Sequence, residues 1–104
     1  MNPNKVDRNR VERLTDLPNI GPAMAHKLHL LGIHRPTQLQ GKSPYDLYTA
    51  LCQKTGSKCD PCVLDIFIAV TRFVAGDEPK HWWAFTQERK HYIRTHSNYL
   101  QANK

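Results

Sequence analysis

Proline and glycine punctuate this chain in the order that helices favour. Proline fits the first turn of a helix, where its missing N–H leaves no donor unpaired, and glycine fits the position just beyond the last turn. Three segments follow this order, namely 22–32, 44–56 and 61–76. Apolar residues inside them recur at helical spacing, and no stretch shows the period of two that is typical of a strand. The sequence therefore predicts an all-α fold.

Segment 61–76 is predicted to be the central helix, because its apolar residues cover almost the whole circumference. Shorter amphipathic helices are predicted over 6–14, with its arginines exposed, and over about 86–101. At 104 residues the chain can bury one modest core. We expect one compact domain, 1–104, of five or six helices. It would comprise a hairpin at about 6–40, core helices at about 44–76 and a tail helix at about 80–101.

The sequence Leu17-Pro18-Asn19-Ile20-Gly21-Pro22 predicts a very tight turn between two helices. Such a turn needs residues that tolerate positive φ or close backbone approach, and Asn19 and Gly21 are of that kind. Ile20 would fill the space between the helices. The first turn of the second helix carries free amides, which together with the helix dipole suit a phosphate oxygen. The predicted backbone donors are those of Asn19, Ile20, Gly21, Ala23 and Met24, with Lys27, Arg35 and Lys42 as nearby cations.

This turn resembles the helix-hairpin-helix motif, including that in the carboxy-terminal domain of the competence regulator family. Helix-hairpin-helix turns often carry glycine where this chain has Asn19, and lysine or arginine where it has Ala23. Over 14–89 the chain is similar to a small bacterial family known as pathogenicity-locus or mitomycin-resistance proteins. The similarity lies in the pattern LPNIGPAMA, LGI, LY, LC, TG, DPCVLDIF and RF, followed by Trp82-Trp83. The resemblance implies a helix-hairpin-helix domain and brings no catalytic residue.

The chain has a net charge of +6, with the excess in 1–42 and in 80–104. A positive field of this kind suits nucleic acid, because phosphate contacts favour Lys and Arg. We therefore expect binding to nucleic-acid backbone, DNA in preference to RNA. Because no second turn of this kind occurs in 43–76, this binding should be weak and independent of sequence. The alternative is a protein-interaction module with a purely structural hairpin. Its tail would then join another protein or a second copy of itself, through Tyr92, Ile93, Tyr99 and Leu100.

Three cysteines provide further alternatives. Cys62 is predicted at the first turn of a helix, where the helix dipole would lower the pKa of the thiol. Cys59 precedes it by three residues, so a reversible disulfide between the two, and with it a thiol-redox function, is one alternative. Cys52, Cys59 and Cys62, with His81 as a fourth ligand, are the candidates for a zinc site. A zinc site usually has two paired clusters, and only one pair is present here. Unligated cysteines packed near a helix start are the simplest interpretation, so we predict no metal and no cofactor.

Trp82 and Trp83 have two interpretations. They could form a stacking platform for unpaired bases, flanked by Lys80, Arg89 and Lys90. They could instead seal one end of a small core, which we favour, with at least one indole largely buried. No paired carboxylates, nucleophile with base, or nucleotide-binding loop is present, so we predict that the protein is not an enzyme. The amino-terminal sequence lacks the apolar stretch of a signal peptide, which predicts a cytoplasmic protein without a membrane segment.

Overall fold

The computed structural model describes residues 1–56 and 59–96, and in them it is all-helical and without a strand. No helix among these residues is both long and apolar enough to cross a membrane. The α-helices are α1 (Pro22–Leu30), α2 (Pro44–Thr55), α3 (Pro61–Val74) and α4 (Thr86–Thr95). Short 3-10 turns lie at Pro3–Lys5, Arg8–Arg10, Leu14–Asp16, Pro36–Leu39 and Trp82–Phe85.

Helix α3 forms the centre of the fold, as its apolar circumference predicts. It packs against α2, α4 and the 3-10 turns at 36–39 and 82–85. Leu64, Phe67 and Val70 are fully buried. Because burial of apolar surface is the main favourable term in folding, α3 is the element around which the others are ordered.

The helix ends confirm the prediction from proline and glycine. Each of α1, α2 and α3 begins with proline, and Gly56 ends α2 with φ 69°. At the end of α1 the N–H of Ile33 donates to the carbonyl of Leu28 at 2.9 Å, and that of Gly32, with φ 79°, donates to His29 at 3.0 Å. This pair of bonds is a Schellman motif, in which glycine adopts the left-handed conformation that ends the helix.

The predicted helix over 6–14 is wrong, and the described residues contain four α-helices instead of five or six. Short polar side chains take the backbone donors that a helix would need. The carboxylate of Asp7 accepts from the N–H of Asn9 at 3.0 Å, and Asp16 accepts from Glu12 and Arg13 at 3.1 and 2.9 Å. Such local bonds compete with the helical ladder and favour isolated turns.

Arg8 is exposed, as predicted, and its guanidinium is bound to the end of α3. Its Nη1 donates to the carbonyl of Phe73 at 2.7 Å, and its guanidinium lies 4.0 Å from the centre of the Phe73 ring. The side-chain amide of Gln40 donates to the carbonyl of Val74 at 2.5 Å. The last carbonyls of a helix lack partners within it. Gln40 supplies one for Val74, and Arg8 adds a second donor at Phe73, whose carbonyl also accepts from the N–H of Gly76 at 3.0 Å.

Helix α4 is tied to α3 by a buried charge. The Asp65 side chain is fully buried and accepts from Thr86 Oγ1 at 2.8 Å and from Arg89 Nε at 2.9 Å. A second pair between the same helices, Arg72 with Glu88, is more exposed. Arg89 is therefore an internal partner of Asp65 and does not flank the tryptophans as a free cation.

The aromatic face of the tail contacts the same chain. Tyr92 stacks on Tyr45 with ring centres 3.6 Å apart, and Ile93 packs against the hydrophobic core. Two of the four residues predicted as a seam between copies are thus engaged within the molecule. The other two, Tyr99 and Leu100, lie outside the described residues, as does the predicted end of the tail helix.

Candidate nucleic-acid interface

The turn before α1 is set by a buried plug and one residue with positive φ. Leu17 and Ile20 are fully buried, as expected for residues that fill the space beneath the turn. Asn19 has φ 67°, whereas Gly21 is extended, with φ −96° and ψ −174°. Asn19 therefore provides the left-handed conformation, and the backbone of Gly21 is one that any residue adopts.

Three of the five predicted backbone donors are open at this turn. The N–H of Asn19 donates to the carbonyl of Met1 at 2.8 Å, and that of Ile20 donates to Leu17 at 3.3 Å, so both are occupied. The N–H groups of Gly21, Ala23 and Met24 have no acceptor among residues 1–56 and 59–96.

The start of α1 is exposed at Ala23, whereas the Met24 side chain is buried. A Cβ built at Gly21 would meet no atom within 4 Å. Since α1 begins at Pro22, the positive end of its dipole lies at the same place. The geometry suits one phosphate oxygen held by the backbone.

The predicted cations differ in their placement. Lys27 lies one helical turn after Ala23 and lines a cleft of about 410 Å³ between α1, α2 and the start of α3. Asp60 lines the same cleft, which therefore holds an acidic as well as a basic residue. Arg35 and Lys42 are exposed, follow the carboxyl end of α1, and form no ion pair with the described residues.

The side chain of Asn19 joins the turn to a distant segment. Its Nδ2 donates to the carbonyl of Lys80 at 2.8 Å, and its Oδ1 accepts from the N–H of Trp82 at 3.2 Å. Lys80, which is exposed, is thereby held beside the turn, and sequence reasoning did not include it in the site. The available signal was asparagine at a position where helix-hairpin-helix turns often carry glycine.

The tryptophans do not seal the core as a pair. Trp82 is half-buried, whereas Trp83 is 58% exposed, and Phe85 is the aromatic residue of this turn that enters the core. The His81 ring stacks on Trp83 with centres 4.2 Å apart and planes 8° apart. Trp82 meets Trp83 edge-on at 5.5 Å. The preferred interpretation from sequence is therefore wrong for Trp83.

The cysteines do not form an activated thiol. Burial and the neighbouring Asp60 carboxylate raise the pKa of Cys62, so the predicted lowering by the helix dipole is wrong. Burial and a hydrogen bond with Cys52 raise the pKa of Cys59 to about 11. Within the described part of the chain no three His, Cys, Asp or Glu side chains converge as metal ligands, so Cys52, Cys59, Cys62 and His81 are not assembled into a zinc site.

Sequence comparisons connect the chain with known proteins. Residues 7–91 match the model of the family described as pathogenicity locus (Cdd1). The chain is also similar to the mitomycin resistance protein McrB of Streptomyces lavendulae, with 32% identity over 80 residues that cover 77% of this chain and 76% of that protein. No solved structure matches the chain.

Proposed function

The chain belongs to the pathogenicity-locus family, and we propose that it binds nucleic-acid backbone, DNA in preference to RNA, weakly and without sequence specificity. The observation that carries the proposal is the set of three unpaired amides of Gly21, Ala23 and Met24 at the start of α1. Backbone amides at a helix start bind phosphate without reading bases.

We further infer that the turn is a helix-hairpin-helix element with a reduced first helix. The buried Ile20, the positive φ of Asn19 and the proline at the start of α1 support this assignment. In place of a full first helix, the 3-10 turn Leu14–Asp16 immediately precedes the hairpin. A single reduced hairpin contacts few phosphates, which is the reason to expect weak binding.

The net charge of +6 supports the same proposal, because it attracts polyanions over a distance comparable to the Debye length.

The test is a titration of a fluorescein-labelled DNA duplex, followed by anisotropy at several salt concentrations. We expect a Kd of about 10⁻⁶ to 10⁻⁴ M at physiological salt, and an affinity that falls linearly with the logarithm of salt concentration. An RNA duplex of the same sequence tests the preference for DNA. Absence of binding to both single-stranded and duplex DNA, or binding that does not depend on salt, would contradict the proposal.

Two variants locate the contact. Gly21→Val suits the extended backbone and the open space at that position, and its side chain covers the amides, so it should weaken binding while the fold is retained. Lys27→Glu should weaken binding as well. Lys54→Glu, at the end of α2, makes the same charge change and serves as the matched control. Equal losses from both lysine variants would indicate a general charge effect and argue against a site at α1.

A further inference from the structure

The segment 80–83 is positioned by the same residue that shapes the turn. The Asn19 side chain donates a hydrogen bond to the carbonyl of Lys80 and accepts one from the N–H of Trp82. These two bonds join parts of the chain that are more than 60 residues apart. Because Asn19 also provides the positive φ of the turn, the aromatic segment and the open amides are fixed to one another.

Trp83 is the large apolar residue with the greatest exposure in the described chain, at 58%. His81 lies parallel to the indole at 4.2 Å, and Trp82 braces it edge-on. Because Trp83 is so largely exposed, much of the indole surface that His81 and Trp82 leave uncovered faces solvent. Exposing an indole in this way costs free energy, and a flat, braced ring offers a surface for another flat ring.

The surrounding charge favours a nucleotide as the occupant. Lys80 and Lys90 are exposed and form no ion pair with the described residues, whereas Glu88 is paired with Arg72 and Asp65 with Arg89. Arg94 is a third exposed cation of this kind, and Asp77 and Glu78 are exposed carboxylates without an ion pair in the described chain, so the uncompensated side-chain charge over 77–96 is +1. An aromatic surface beside cations matches a base attached to a phosphate, and it would not favour a basic or purely apolar peptide.

We infer that Trp83, stacked on His81, is a base-stacking platform that makes the protein prefer unpaired nucleotides to a closed duplex. The inference rests on the proposed backbone contact at the start of α1, to which it adds the class of nucleic acid. In a duplex both faces of each internal base are already stacked, so only single strands or unpaired ends offer a free face.

The experiment compares two fluorescein-labelled DNA probes at about 50 mM salt, an oligothymidine of about 12 nucleotides and a blunt duplex of the same length. The unmodified protein should bind the oligothymidine more tightly. Trp83→Ala should weaken that binding about tenfold and change duplex binding by less than about twofold. Trp83→Phe keeps an aromatic surface and should retain most of the affinity.

A second readout does not depend on affinity. In Trp82→Phe the remaining indole is Trp83, and stacking on thymine should quench its fluorescence when the oligothymidine binds, while the duplex should leave it unchanged. Circular dichroism of each variant checks that the helices are retained.

The outcomes separate this inference from the proposed function. If both probes bind but Trp83→Ala affects neither, or weakens both equally, the platform is wrong and the backbone contact stands. If neither probe binds, the proposed function fails and the platform fails with it. If Trp83→Ala abolishes binding to vesicles containing anionic lipid while oligothymidine binding is unchanged, the exposed indole is a membrane contact and the inference is overturned.

Discussion

Removing the carboxylate of Asp65 should test how α4 is held on the core. Its side chain is fully buried and accepts hydrogen bonds from Thr86 and Arg89, while the Arg89 side chain is 13% exposed. Breaking a buried pair by removing one partner typically costs about 3 to 5 kcal/mol. Because Arg89 retains some access to water, we expect Asp65→Ala to cost about 3 kcal/mol, near the lower end of that range.

A loss of this size is a large part of the stability of a domain, which is about 5 to 15 kcal/mol. Urea unfolding followed by circular dichroism measures it, and Tm should fall by about 12 °C or more. Glu88→Ala is the matched control, because it breaks the more exposed pair between the same two helices and should cost less than about 1 kcal/mol. Equal costs for the two variants would refute the view that Asp65 anchors α4 through a buried charge.

Two further predictions concern the turn and the thiols. Asn19→Gly keeps the positive φ but removes two hydrogen bonds, so the free energy of unfolding measured in urea should fall by about 1 to 3 kcal/mol. The preference for oligothymidine should be lost as well. Unchanged stability and preference would contradict the role given to this side chain. The pKa of Cys59, raised to about 11 from its ordinary value near 9, makes the folded state hold this proton more tightly than the unfolded state. The contribution of this thiol to stability should therefore be full below about pH 9 and decline toward pH 11. Urea titrations at several pH values should show a smaller decline in Cys59→Ala than in the unmodified protein. An identical decline in the two would argue against a raised pKa at Cys59.

The features that were predicted correctly depend on neighbours in sequence. The starts of α1, α2 and α3 and the left-handed conformation of Gly32 follow from the geometry of proline and glycine, which acts within one turn of backbone. The helix over 6–14 failed for an equally local reason. Its spacing of apolar residues was helical, but the carboxylates of Asp7 and Asp16 bind nearby amides and divide the segment into turns.

The parts that were missed depend on contacts between distant residues. The segment that carries Trp83 is attached to Asn19, more than 60 residues earlier, and an isolated tryptophan pair gives no sign of this. A single acidic residue in an otherwise apolar helix does indicate that Asp65 needs a buried partner. Which of the basic residues after it would be that partner, Arg89 or another, is decided only by how α4 packs on α3.

The pairing of Asp65 with Arg89 also has a consequence for synthesis. A ribosome adds about 5 to 20 residues per second, so Arg89 emerges after Asp65 by about five seconds at the slower rate, since both residues pass through the same exit tunnel. During that interval the nascent α3 carries an unpaired carboxylate in the middle of its apolar surface. The cost of burying that charge alone favours a loose nascent chain until α4 arrives, so the protein should acquire its native packing after most of it has been translated.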